Sequence, residues 1–110
     1  MRVRITLRVL AGILSCLLVP LSALGQSDAA KVYKTNCELC HGPNGSGDTG
    51  PGKAFHAKDL RSDEVQKQSD EDLKAVIAKG RGKMPAFGAK MKPEAITGLV
   101  TYIRSLSARK

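Results

Sequence analysis

Cys37-Glu38-Leu39-Cys40-His41 constrains this chain more than any other stretch. On a helix, positions three and four apart share a face. The two thiols therefore project together, and the imidazole, four residues beyond Cys37, projects beside them. Two thiols at this spacing followed at once by a histidine are the attachment signature of a c-type haem. Both sulfurs can form thioethers with the vinyl groups on neighbouring edges of one porphyrin, and His41 is carried over the iron as its proximal ligand. Three other chemistries use the same residue types. A dithiol redox pair sits at a strand-to-helix junction in a βαβ unit, and the sequence has no strand pattern. A zinc site takes four ligands, usually from two pairs, and only distant His56 could join the other three. A disulfide between Cys37 and Cys40 would close a very small loop and leave His41 without a role.

The stretch before the motif reads as an export leader. Arg2, Arg4 and Arg8 form a positive n-region, residues 9–19 are almost entirely apolar, and Ala23-Leu24-Gly25 places small residues before a cut at Gln26. This predicts a secretory signal peptide over residues 1–25 and one haem domain over 26–110, hence a periplasmic location. Two alternatives remain at this point. Residues 9–24 approach spanning length and could serve as an uncleaved membrane anchor. Ile13-Leu14-Ser15-Cys16 is a loose lipidation motif, although the apolar Leu17, Leu18 and Val19 that follow it argue against it.

Charge narrows the partners. Three of the 18 basic residues lie before Gln26 and none of the 10 acidic ones does, which leaves a net +5 after it. Two haem propionates would lower that to about +3. No arginine-rich run or aromatic stacking platform accompanies this modest excess, so nucleic acid is not expected as a partner. An acidic protein partner or an anionic surface is. A domain this short buries little core by itself, and a covalently held haem would supply the missing apolar centre.

The chain reads as all-α. A first helix over 28–40 is capped by Ser27 or Asp28 and carries the motif at its end, where Gly42-Pro43 stops it. Residues 42–52 are rich in turn formers, and a short helical turn fits 62–67. Ser69-Asp70-Glu71-Asp72 opens a further helix with apolar Leu73, Val76 and Ile77, closed by Gly80. A last helix starts at Pro93 with a stripe of Ile96, Leu99, Val100, Ile103 and Leu106. Gly98 lies inside it, where glycine costs about 1 kcal/mol relative to alanine. That predicts a close helix crossing.

A second axial ligand is sought among Met84, Met91 and His56. Met84 sits in the loop Arg81-Gly82-Lys83-Met84-Pro85-Ala86-Phe87-Gly88, away from any helical stripe, and is the preferred candidate. Met91 precedes the last helix and is expected to pack in the core, and His56 is expected at the surface.

With these residues in place the chain resembles small class I c-type cytochromes of the bacterial periplasm, over essentially all of residues 26–110. The resemblance rests on the haem motif together with Thr49-Gly50-Pro51, with Lys83-Met84-Pro85-Ala86-Phe87-Gly88, and with Leu99-Val100-Thr101-Tyr102. It implies a cytochrome c fold of about three to five short helices round one covalent haem c. Cys37 and Cys40 would carry the thioethers, and His41 and Met84 would ligate the iron. The Pro51 carbonyl would accept a hydrogen bond from His41 Nδ1, and Tyr33 would meet Leu99 and Tyr102 where the first and last helices cross. The family often has glycine in the first helix at that crossing. Ala29 stands there here, with Gly98 expected to compensate. The sequence has no tryptophan, so a tryptophan hydrogen bond to a propionate, found in some members, is absent. The function implied is one-electron transfer rather than enzyme catalysis. Lys34, Lys53, Lys83, Lys90 and Lys92 are candidates for a basic rim facing an acidic redox partner. The competing readings are a cytochrome subunit of a larger dehydrogenase or oxidase complex, and a haem sensor or peroxidase with an open iron.

Overall fold

The computed structural model of the protein describes residues 22–109. Most of the expected leader, with Cys16, lies outside the described residues. Six α-helices follow in order: α1 Ser22–Asn36, α2 Glu38–His41, α3 Gly50–Ala54, α4 Asp63–Gln66, α5 Asp70–Lys79 and α6 Pro93–Leu106. A 3-10 turn, Ser107–Arg109, is the last element of the described residues. Among the described residues there is no strand. The nearest thing is an isolated bridge between Arg81 and Met84. The fold class is as expected, with one helix more than the three to five anticipated.

Local chemistry explains most boundaries. Ser69 caps α5 by accepting from the Asp72 N–H, three acidic residues fill its first turn, and Gly80 closes it at φ 74°; carboxylates there complement the positive end of the helix dipole. Ser62 caps α4 in the same way. α6 starts at Pro93, where the missing N–H costs nothing. Two boundaries differ from expectation. Among the described residues the first helix already runs from Ser22, ahead of the expected start at Asp28. The chain also turns at Cys37 before resuming as α2. The unexpected helix is α3. Thr49 caps it by accepting from the Gly52 N–H, and Pro51 sits in its first turn. A threonine cap followed by proline starts a helix, although the same residues also suit a loop.

The core lies where α1 crosses α6. Tyr33, Leu99 and Leu106 are almost fully buried, and the Tyr33 and Tyr102 rings pack 4.9 Å apart at 46°. Ala29 and Val100 are buried with them, and each full aliphatic burial is worth roughly 1.5–3 kcal/mol. Polar ties then attach the middle of the chain to α6. Gln66 Nε2 donates to the carbonyls of Leu60 and Ile103. Arg104 donates to the Gln66 and Gln68 carbonyls and to Asp70. These bonds hold α4 and the start of α5 against the C-terminal helix.

The crossing is looser at Gly98 than its glycine suggested. A Cβ placed there would meet the Ala29 Cβ at 3.6 Å, ordinary van der Waals contact. The expectation that the crossing needs a bare backbone at Gly98 is therefore corrected: the two helices leave room for one methyl. Gly98→Ala should raise stability by about 0.5–1 kcal/mol through lower unfolded-state entropy and better helix propensity. A thermal melt checks this, and a lowered Tm would mean that the helices pass closer than the structure places them.

Candidate haem site

One cavity of about 320 Å³ receives Cys37, Cys40, His41 and Met84 together. Its walls are apolar, built from Leu60, Val65, Leu73, Ile77, Leu99 and Ile103. The sequence thus brings four predicted site residues, from positions 37 to 84, to one place. Met91 packs against the hydrophobic core and does not line this cavity. His56 lies at the edge of the cavity, exposed, in the left-handed region at φ 56°.

The motif is held by its own carbonyls. The Thr49 hydroxyl lies 2.8 Å from the Leu39 carbonyl and 3.0 Å from that of Cys40 and shares its proton between them, while accepting from the Gly52 N–H. The Gly47 N–H donates to the His41 carbonyl at 2.7 Å, and the Tyr33 hydroxyl donates to that of Gly42 at 2.7 Å. Burial is the main reason the Tyr33 phenol is pushed well above its ordinary pKa, so it stays a neutral donor. Gly52 comes so close that a Cβ there would run into the carbonyls of Cys40 and Gly47.

His41 Nδ1 sits 3.0 Å from the Lys58 carbonyl. A carbonyl can only accept, so Nδ1 carries the proton and Nε2 keeps the lone pair a metal needs. Burial lowers the His41 pKa, with the Lys58 hydrogen bond pulling the other way. The ring is therefore neutral at pH 7, as a ligand must be. Pro51 was expected to supply this acceptor, and it does not. Its carbonyl accepts the Phe55 N–H within α3 at 2.9 Å. Lys58 lies beyond α3 in non-helical chain, where a carbonyl stays free for the imidazole. Nothing in the Lys58 side chain signals this role, because the acceptor is main chain.

Met84 is positioned by a tight loop. Its N–H donates to the Arg81 carbonyl at 2.9 Å and its carbonyl accepts the Arg81 N–H at 3.2 Å. The loop is tied back to the end of α5 by the Phe87 and Gly88 N–H groups, which donate to the Ile77 and Ala78 carbonyls. Gly80 passes so near that a Cβ would lie 2.6 Å from the Met84 carbonyl oxygen.

Cys37 and Cys40 are both free and half-buried. Burial, and next the neighbouring Cys40, push the Cys37 thiol up to about 11. A dithiol redox centre needs the opposite, a thiolate stabilised near neutral pH. The donor set is instead two unpaired thiols, a neutral imidazole with a free Nε2 and a thioether, around an apolar cavity. These residues fit a c-type haem.

Fold and site together define a c-type cytochrome. The family described as "Cytochrome C oxidase, cbb3-type, subunit III" matches residues 26–103, and the chain belongs to that family. It is 31% identical to cytochrome c6 of Gloeothece citriformis over 76% of this chain and 74% of the relative. It is 40% identical to cytochrome c-555 of Methylococcus capsulatus over 70% of this chain and 58% of the relative. The FixP subunit of a cbb3-type cytochrome c oxidase from Azorhizobium caulinodans is 34% identical, and the match spans 77% of this chain but 30% of that protein. Among solved structures, the KustC0563 c-type cytochrome superposes with a TM-score of 0.67 at 33% identity, over 72% of this chain and 96% of that one. The chain is therefore a small electron-transfer cytochrome, and it carries covalently bound haem c with its iron.

Lys58→Ala tests the main-chain origin of the imidazole contact. It removes only the exposed Lys58–Glu64 pair, worth at most about 1 kcal/mol. The His41 Nδ1–H resonance and the reduction potential should stay as in the wild type. Gly52→Ala should behave oppositely, costing about 1–3 kcal/mol by overpacking and lowering the yield of covalently attached haem.

Proposed function

We propose that the protein is a periplasmic one-electron carrier in which Cys37 and Cys40 hold the haem through thioethers and His41 and Met84 ligate its iron. The observation that carries this reading is that all four side chains line one apolar cavity. Haem bound there supplies a one-electron Fe(III)/Fe(II) couple. The chain's own residues set its properties. The Lys58 carbonyl holds the imidazole in one tautomer and orientation, which steadies ligand basicity. The Met84 thioether favours Fe(II) and so a raised potential. The apolar walls exclude water and disfavour the extra positive charge of the oxidised state. The hydrogen-bonded loop from Gly80 to Gly88 keeps Met84 in place in both redox states, so little rearrangement accompanies electron transfer.

The docking surface proposed is the mouth of this cavity. Leu39, within the motif, and Phe55 are exposed at 73% and 52%, and Phe55 lines the cavity. Of the five lysines proposed for a basic rim, Lys83 borders the cavity. Lys53 is engaged with Asp48, and Lys90 lies over the Phe87 ring. An exposed apolar patch beside positive charge suits an acidic redox partner. Among the described residues no helix is long and apolar enough to cross a membrane.

The match to the FixP oxidase subunit favours a second reading, in which the same electron transfer occurs inside a permanent oxidase complex. Purification separates the two readings: a free carrier runs as a small haem protein, and a subunit co-purifies with its complex.

Optical spectra of the purified protein test the ligand set. Haem should resist acid-acetone extraction, and the oxidised protein should show a methionine-to-iron charge-transfer band. Met84→Ala should abolish that band, open the iron to carbon monoxide and lower the potential by on the order of 100 mV, within the roughly 0.8 V that axial ligands command. A wild-type protein that binds carbon monoxide would favour a sensor or peroxidase instead. If the basic rim steers association, partner on-rates should fall about tenfold or more between low and physiological salt.

A further inference from the structure

The cavity walls are apolar, yet a haem brings two carboxylates with it. Four arginines lie among the described residues, and three have protein partners. Arg61 binds Asp59 through two nitrogens. Arg104 binds Asp70 and two carbonyls. Arg109 lies over the Tyr102 ring. Arg81 alone among them has no side-chain partner, and it lines the haem cavity. It also lines an adjoining polar cavity with Gln68, Asp72 and Lys79, and no ion pair joins it to Asp72. Of the lysines lining the haem cavity, Lys58 is engaged by Glu64. Arg81 and Lys83 are thus the cations left uncommitted at the cavity.

We propose that Arg81 is the propionate-binding residue of the haem site and helps set the reduction potential. The proposal rests on the cavity being the haem site. Two features favour Arg81 over Lys83. A guanidinium presents a rigid planar fork that matches a carboxylate through two parallel N–H bonds, which an ammonium cannot do. Its main chain is also doubly hydrogen-bonded to Met84, so the backbone from which the exposed guanidinium reaches is held beside the Met84 loop. The missing tryptophan donor thereby has a replacement three residues before Met84. A positive charge held there lowers the electrostatic cost of the carboxylate beside the iron and favours the reduced state.

The test is the reduction potential of the intact haem-loaded protein, measured at low and high salt for four proteins: wild type, Arg81→Gln, Arg81→Lys and Lys31→Gln. Lys31 is exposed on α1, away from the cavity, and controls for loss of one surface charge. Arg81→Gln should lower the potential more than Lys31→Gln does. The difference should persist at high salt, because a contact pair is screened far less than a charge acting through solvent. The midpoint pH of any propionate-linked change in potential should rise in Arg81→Gln, and Arg81→Lys should recover part of both effects. Thermal melts should stay close to wild type, since the bridge to Met84 uses main-chain atoms. Equal shifts in Arg81→Gln and Lys31→Gln, or a difference that vanishes in salt, would overturn the assignment to Arg81 while leaving the haem site standing. A wild-type protein without covalent haem would instead remove the site on which the proposal rests.

Discussion

The end of the short motif helix is where this structure is most tightly constrained. A helix leaves its last carbonyls without intrahelical partners, and here they belong to Leu39, Cys40 and His41, with Gly42 just beyond. Each finds a donor elsewhere in the fold: the Thr49 hydroxyl for Leu39 and Cys40, the Gly47 N–H for His41, the Tyr33 hydroxyl for Gly42. Satisfying these carbonyls fixes the path of residues 42–52 and brings α3 against the motif. The bond from Tyr33, buried under α6, then ties the motif to the crossing of the terminal helices. A buried carbonyl without a donor would cost about 1–3 kcal/mol, so the loop has little freedom to rearrange without loosening the motif.

A small domain with a large apolar hollow has a particular problem of stability. Residues such as Leu60, Leu73 and Leu99 face both the helical core and the cavity, so the same side chains serve the protein interior and the haem. Unfilled, such a wall forfeits the dispersion contacts of one side. The covalent group is accordingly part of the core, and folding and cofactor retention are linked. With haem in the proposed site the same arrangement would keep water from the iron, so one packing solution would serve stability and function together.

Sequence reasoning reached those features that depend on side-chain identity in a local window. The haem motif, the Ser69 cap and acidic turn of α5, the stripe of α6 and the Met84 loop are all of this kind. It failed where the determinant is main chain or distant in sequence. Lys58 positions the imidazole by a carbonyl that any residue would offer, so its side chain gave no clue, while the resemblance to class I cytochromes pointed to Pro51. Thr49-Gly50-Pro51 was legible as turn chemistry, but the same residues cap a helix, and local pattern does not decide between the two. Gln66 and Arg104 join segments more than thirty residues apart, beyond any periodicity. Gly98 misled for another reason: glycine in a helix suggests a tight contact, but only the distance to Ala29 says whether one exists.

Lys58 also shows how such a site can separate two kinds of tuning. Its carbonyl orients the imidazole, while its ammonium pairs with Glu64 at the surface. The first contact is made by main chain and does not depend on which side chain stands at position 58. The second is exposed, screened by salt and worth little. Arg81 is built the same way: its main chain braces Met84, and its side chain is left to meet charge. The side chains are thus left for charge, with Glu64 at Lys58 and with the proposed propionate at Arg81, while the backbone atoms beside His41 and Met84 remain where they are. Positioning and charge are carried by the same residues but on different atoms.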